Sequence, residues 1–267
     1  MMELEKLCIQ VRELVENVGH FVREERKQFT ANRIETKGKH DFVTYVDKYA
    51  EEKLVKELGK LLPGSGFIAE EGTGKGRTGE YNWIIDPLDG TTNYIHGSPP
   101  YAISVALMRF DEVILGVVYE IVAGECFFSF QGADAFMNDQ IIKVSQNNSI
   151  ADSLIATGFP YNYFNRLQPF MKTLEFLFVN SQGVRRLGSA ATDLAYVACG
   201  RYDVFYEYNL NPWDVAAGSF LVQQAGGRVS DFTGGSNFLF GKEIIASNQT
   251  VFREFQSKID EIMNQGE

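Results

Sequence analysis

Two aspartates, Asp86 and Asp89, stand three residues apart in the run Trp83-Ile84-Ile85-Asp86-Pro87-Leu88-Asp89-Gly90-Thr91-Thr92-Asn93. An apolar segment delivers them to a turn stiffened by Pro87. Gly90-Thr91-Thr92 follows at once and can open a helix, whose first backbone N–H groups lack intrahelical partners and favour an anion. Carboxylates for a divalent cation and N–H groups for a phosphate therefore lie side by side. Metal-assisted phosphoryl transfer to water needs that combination.

Other acidic residues could complete such a site, and each has a plainer reading beside the chemical one. Asp89, just before Gly90, is well placed to cap the helix. Capping does not account for Asp86, which ends an apolar run and needs a cation or a basic partner; no basic residue follows until His96. Glu70 and Glu71 close a second short apolar run, Phe67-Ile68-Ala69. Glu71 reads as solvated loop charge, whereas Glu70, if it faces Asp86, supplies a third oxygen ligand. Oxygen-only ligands favour Mg²⁺ over zinc. His20, His40 and His96 share no metal-ligand spacing, and Cys8, Cys126 and Cys199 offer no thiolate pair, so a zinc site is not expected. Asn211-Pro212-Trp213-Asp214 is a sound helix start in its own right, and spacing leaves open whether Asp214 joins the other aspartates. Asp47 completes a capping box with Thr44, and Thr91 can cap its own helix; a role in chemistry stays open for both.

The elements that must position these residues follow from periodicity. Apolar residues from Leu4 to Val22 form a helical stripe over residues 2–27. A polar linker, Thr30 to His40, precedes a helix running from the Thr44 box to about Leu62, which Pro63-Gly64-Ser65-Gly66 breaks. Gly72 to Glu80 reads as a flexible glycine-rich loop. Strands are expected at Phe67–Ala69, Trp83–Ile85, Ala102–Met108, Val113–Ile121 and Glu125–Phe130. The polar stretch Ser145–Ser153 marks a boundary between residues 1–147, an α+β part carrying most metal ligands, and residues 148–267, an α/β part carrying Asp214. In the second part, strands at 154–157, 184–186, 203–206, 227–230 and 243–246 alternate with helices at 169–179, 190–199 and 213–225. Such alternation points to layered α/β architecture.

Composition narrows the partners. Of 267 residues, 45% are hydrophobic and 22% charged, which is ordinary for a globular chain. No apolar stretch approaches the ~20 residues that span a bilayer, and the charged N-terminus is not a signal peptide. Three widely spaced cysteines read as reduced thiols, so a cytoplasmic location is expected. A net charge of −10 argues against nucleic acid and anionic membranes, and fits a phosphate enzyme only if acidic side chains hold cations.

At this point the chain resembles the inositol monophosphatase family, within the Mg²⁺-dependent, Li⁺-sensitive sugar phosphatases. Residues 86–96 (DPLDGTTNYIH) look like its first signature and residues 213–227 (WDVAAGSFLVQQAGG) like its second. The segments 41–47 (DFVTYVD), 69–72 (AEEG) and 186–191 (RLGSAA) fall in the expected order, so the likeness covers nearly the whole chain. It implies an αβαβα sandwich, a homodimer and two to three Mg²⁺ ions. Glu70, Asp86 and the Leu88 carbonyl would hold one ion, Asp86, Asp89 and Asp214 a second, and Glu70 a third. Gly90 and Thr91 would receive the phosphate. Thr91, backed by Asp47 and near Glu70, would direct the attacking water. Glu207 would bind a substrate hydroxyl, with Arg185, Gly188, Ser189 and Ala190 lining the substrate. The stretch Thr157-Gly158-Phe159-Pro160-Tyr161 departs from the animal enzymes and resembles bacterial members.

The implied activity is hydrolysis of a small phosphate monoester, foremost inositol 1-phosphate with broad specificity. Fructose 1,6-bisphosphate and NADP(H) are alternatives at the same site. A regulatory, RNA-polymerase-associated protein that keeps the fold is the alternative of another class. Residues 30–40 and the Gly72–Glu80 loop would form a lid.

Overall fold

Leu7, Val11, Val15, Val18 and Val22, spaced three or four apart, bury one face of the first helix, α1 (Leu4–Lys27). The computed structural model describes residues 3–29, 34–38, 41–74, 76–159 and 164–264, with the backbone alone for 34–38 and 41–43. After α1 come β1 (Ile34–Gly38), β2 (Asp41–Thr44), α2 (Tyr45–Leu61), β3 (Gly66–Ala69), β4 (Tyr81–Asp89) and α3 (Thr91–His96). Then follow β5 (Ala102–Arg109), β6 (Glu112–Glu120), β7 (Glu125–Phe130), β8 (Ala135–Met137) and β9 (Gln140–Ile142). The remaining elements are β10 (Leu154–Thr157), α4 (Leu167–Asn180), β11 (Gly183–Arg185), α5 (Ala190–Ala198), β12 (Val204–Tyr208), α6 (Pro212–Gln224), β13 (Arg228–Ser230), β14 (Glu243–Ser247) and α7 (Phe252–Asn264).

These elements stack as α, β, α, β, α. A seven-stranded sheet runs β3-β4-β5-β6-β7-β8-β9, and a five-stranded sheet runs β11-β10-β12-β14-β13. On β4, successive side chains feed different layers, as a pleated strand dictates. Trp83 and Ile85 pack with α1 and α2, while Ile84 packs with α5 and α6. The same α5–α6 layer meets the inner face of the second sheet at Ala156, Phe205 and Ala246. Its outer face, including Ile155, Tyr206 and Ile245, is covered by α4 and α7. The middle layer lies between two sheets, so α6 is apolar nearly all round, buried from Val215 to Val222. Small residues let it fit: a Cβ at Gly218 would stand 2.5 Å from Leu194 Cβ.

Two features of the large sheet build the site. β3 and β4 are parallel, with Ala69 opposite Ile85. Glu70 and Asp86, one residue further along each strand, therefore leave the sheet at the same edge. Between Asp86 and Asp89, β4 advances three residues while β5 advances two, from Ser104 to Ala102. This is a bulge, and Pro87, with no N–H to give the ladder, sits inside it.

Most expected elements begin and end within two residues of their predicted bounds, and three differences have physical causes. The segment 83–93 is a strand running on to Asp89 through the bulge, rather than a strand ending at Ile85 before a turn. Part of the expected polar linker, residues 34–38, pairs antiparallel with β2. The Gly72–Glu80 loop is pegged rather than loose. Arg77 donates to the Phe110 carbonyl (3.0 Å) and to Asp111 (2.6 Å), and Thr78 N donates to Asn82 Oδ1 (2.6 Å). The expected lid residues 30–33, 39, 40 and Lys75 lie outside the described residues. Among the described residues, no helix is long and apolar enough to cross a membrane.

Candidate metal and phosphate site

The edge of the large sheet, the start of α6 and the start of α5 converge on one cleft of about 210 Å³. Carboxyl oxygens of Asp86, Asp89 and Asp214 there lie within 4.8 Å of one another. Asp86 is buried, and its Oδ1 accepts from Leu88 N at 2.9 Å within the bulge. Asp214 comes from the first turn of α6, where its Oδ2 accepts from Asn211 N at 2.6 Å. Glu70 lines the same cleft.

Asp89 does not cap the helix that follows it. The cap of α3 is Gly90, in the left-handed region at φ 93°. A Cβ at that glycine would stand 3.1 Å from the Pro100 carbonyl oxygen and 3.2 Å from that of Gly188. Asp89 instead reaches across the cleft to α5, where its Oδ2 accepts from Ala191 N and from Ser189 Oγ, both at 2.7 Å. It thus ties the end of β4 to the start of α5, satisfying an N–H in that helix's first turn.

Crowded, buried carboxyls resist ionisation. Burial, then Glu70, Asp89 and Asp214, raise Asp86 well above the usual carboxylate range. Burial pushes Asp89 up to about 6, opposed by its bonds to Ser189 and Ala191 and by Arg186. Burial and then Asp89 push Asp214 up to about 7, opposed by Asn211 N, Asp86 and Lys242. All three donors are hard oxygens, the chemistry that Mg²⁺ prefers. A cation among them would relieve the repulsion, so the residues fit one.

Asp47 is both a cap and a partner of Thr91. Its Oδ2 accepts from Thr44 N at 2.9 Å, completing the capping box at the start of α2. Its Oδ1 accepts from Thr91 Oγ1 at 3.0 Å, and the Leu88 carbonyl lies 3.0 Å from the same hydroxyl. Burial raises the Asp47 carboxyl, against the hydrogen bonds from Thr44 and Thr91. Asp47 stands behind Thr91, while Gly90, Thr91 and Thr92 face the cleft.

On the opposite wall, Glu207 from β12 is buried and lines the cleft. Burial, then Asp214 and Asp89, raise it well above the usual range, with Arg186 opposing. Gly158 leaves room for it: a Cβ there would stand 2.0 Å from the Glu207 carboxyl as it now lies. Gly188, Ser189 and Ala190 line the cleft as expected. The Ser189 hydroxyl, however, is engaged by Asp89 and by Thr192 Oγ1, each at 2.7 Å.

Arg185 is a correction. It is exposed at the end of β11, with Nη1 donating to the neighbouring Val184 carbonyl, and the cleft is lined by Arg186 instead. Adjacent residues leaving a strand face opposite ways, so a shift of one position changes the lining residue. Arg186 packs 5.4 Å from the ring of Phe159, which is 46% exposed at the cleft mouth. Pro160 and Tyr161 lie outside the described residues. Sequence reading also passed over Asn93, whose Nδ2 donates to the carbonyls of Pro100 and Leu187, both at 2.8 Å. It missed the buried Asp193 on α5 too, raised well above the usual range by burial and then by Glu207 and Asp89. Only the position of Asn93 inside the first signature pointed to it.

Residues 3–264 match the family model described as the inositol monophosphatase family. An inositol-1-monophosphatase of Mesorhizobium japonicum is 41% identical over 222 residues, covering 83% of this chain and 84% of the relative. A protein named Nus factor SuhB from Pseudomonas aeruginosa is 42% identical over 231 residues, covering 85% of each. Among solved structures, the extragenic suppressor protein SuhB of Bartonella henselae superposes with a TM-score of 0.89 at 34% identity over all of both chains. The IMPase of Thermotoga maritima does so with 0.86 at 36% identity, over 97% of this chain and 98% of that one. The layered fold, the two signatures in order and these likenesses agree, and the chain belongs to the inositol monophosphatase family.

Proposed function

We propose that the protein is a Mg²⁺-dependent phosphomonoesterase acting on inositol 1-phosphate and related polyol phosphates. The observation that carries this reading is the convergence of Asp86, Asp89 and Asp214 within 4.8 Å, in a cleft that Gly90 and Thr91 also line. Glu70, Asp86 and the Leu88 carbonyl would hold one ion, Asp86, Asp89 and Asp214 a second, and Glu70 a third. Bound divalent ions supply positive charge to the phosphate oxygens and make water more acidic.

The chain's own groups do the rest. Backbone N–H groups of Gly90 and Thr91 donate to phosphate oxygens at the start of α3. With six residues α3 is short, so this contribution comes from the N–H groups more than from a summed helix dipole. When Thr91 Oγ1 donates to Asp47, its lone pairs face the cleft and orient a water for in-line attack. Asp47, raised by burial, is suited to take up the proton that Thr91 passes on. Glu207, at the far wall, accepts from a hydroxyl of the leaving group. No covalent intermediate is needed, because the aspartates would be taken up in holding cations.

Phosphate release from inositol 1-phosphate, fructose 1,6-bisphosphate, NADP⁺ and 2′-AMP, with and without Mg²⁺, tests this reading. Mg²⁺-dependent release from the first substrate supports it, and no release from any of the four would overturn it. The relatives named Nus factor SuhB favour a second reading, regulatory association with RNA polymerase. Co-sedimentation with purified core polymerase would detect it in a variant lacking Asp89. Inhibition by Li⁺, a homodimer and a cytoplasmic location belong to the same proposal, and light scattering of the purified protein checks the dimer.

A further inference from the structure

Glu51 lies wholly inside the protein, 0% exposed, one helical turn after Asp47 on α2. Its two carboxyl oxygens each accept from a backbone amide. Oε2 accepts from Glu71 N and Oε1 from Thr73 N, each at 2.7 Å. Both donors belong to the turn that begins at Glu70. The strand ladder secures Glu70 on its near side, where Glu70 N donates to the Ile85 carbonyl at 3.3 Å. Beyond that rung β3 has ended, and the turn closes on itself through Gly72 N and the Ala69 carbonyl, with Gly72 at φ 79°.

We infer that Glu51 is a positioning residue, which fixes the backbone on the far side of Glu70 and so aims that side chain at the cation site. Residues four apart share a helix face. One face of α2 therefore sends Asp47 to Thr91 and Glu51 to the Glu70 turn. The same helix sets both flanks of the cleft, and a buried carboxyl with two short amide bonds is a stiff way to do so. A glutamine at position 51 would present an NH₂ to one of the two amide donors, leaving a buried N–H unpaired. The far side of the Glu70 turn would then lose one of its two bonds to α2.

This inference rests on the proposed role of Glu70 as a cation ligand, and the test separates the two. Calorimetric titration with Mn²⁺, without substrate, compares the full-length protein with Glu51→Gln, Glu70→Gln and the double variant. Partners one shell out from a metal typically change affinity about 10- to 100-fold. The expected result is a loss of that size in each single variant, with the double variant no more than about threefold weaker than Glu70→Gln, since coupled residues are not additive. Wild-type affinity in Glu51→Gln beside a weakened Glu70→Gln overturns the inference and spares the role of Glu70. Losses that multiply in the double variant also overturn it, because Glu51 would then act through the fold at large. Wild-type affinity in Glu70→Gln removes the ligand role itself. Should Glu51→Gln not fold, Glu51→Asp, which keeps the charge and shortens the reach, carries the same expectation and the same overturning result.

Discussion

Acidification should loosen Mg²⁺ from this protein at a pH where ordinary carboxylates are still charged. Asp89 is raised to about 6 and Asp214 to about 7, both chiefly by burial. A cation held by the pair needs both ionised, so apparent affinity follows the product of their ionised fractions. That product is about 0.9 at pH 8, about 0.05 at pH 6 and about 0.001 at pH 5. Half-saturating Mg²⁺ should therefore rise about 20-fold from pH 8 to pH 6 and about 1000-fold by pH 5. Two carboxyls near the ordinary value of about 3.9 would give less than a twofold rise over the whole range. Calorimetric Mg²⁺ titrations at each pH measure this directly, without reference to turnover. A change of less than about threefold between pH 8 and pH 5 would refute the reasoning. The sign for stability is fixed by the same groups. In the metal-free protein they hold protons that the unfolded chain, titrating near 3.9, has released. The contribution of these two groups to stability should thus be fullest below about pH 4, fall as pH rises to about 7, and stay lower above it. Mg²⁺ reverses that trend by binding the ionised fold, so the rise in Tm on adding it should be larger at pH 8 than at pH 5.

Three substitutions probe separate parts of the cleft. Asp89→Asn should abolish phosphate release at millimolar Mg²⁺ while shifting Tm by only a few degrees, because the amide oxygen can still accept from Ser189 Oγ and Ala191 N; full turnover would remove Asp89 from the cation site. Thr91→Ala should lower kcat by about 10²- to 10⁴-fold, the usual worth of a proton-transfer group, with Mg²⁺ affinity within twofold. A fall in that affinity instead would make Thr91 part of the scaffold for the ion. Gly158→Ala puts a Cβ 2.0 Å from the present Glu207 carboxyl and must displace it. The expected result in a steady-state assay is a KM at least tenfold higher with Mg²⁺ half-saturation unchanged, and an unchanged KM would detach Glu207 from substrate.

How far the site could be read beforehand depended on whether a residue's partner is near in the chain. The Thr44–Asp47 box and the Asn211–Asp214 helix start are local patterns, and both form as the spacing predicts. The layered fold followed from the alternation of periods in the second half. The partners of Asp89 were invisible, because Ser189 and Ala191 are about one hundred positions away, and one acts through a common hydroxyl and the other through a backbone N–H that any residue carries. Glu51 was invisible for the same reason, since its partners are the amides of Glu71 and Thr73. Arg186 was missed by a single position, as any residue near a strand end can be without the register in hand.

Capping and chemistry are rival readings of Asp47 and Asp214 in the sequence, and the fold gives each residue a capping-box bond together with a second contact, Thr91 for Asp47 and the cleft for Asp214. One oxygen of Asp47 closes the start of α2 while the other holds Thr91. Asp214 binds its own helix start through Oδ2 and still stands among the three clustered aspartates. The reason is geometric. A carboxyl has two oxygens, and a helix start fixes one of them to within a hydrogen bond of rigid backbone. The second oxygen then needs no further restraint to be aimed. Pre-organisation of this kind matters most where several like charges must be held together. It follows that these caps cannot be tested by helix stability alone. Serine at position 47, the third residue of α2 whose box partner is the Thr44 cap, is too short to keep both contacts and would leave Thr91 without its acceptor.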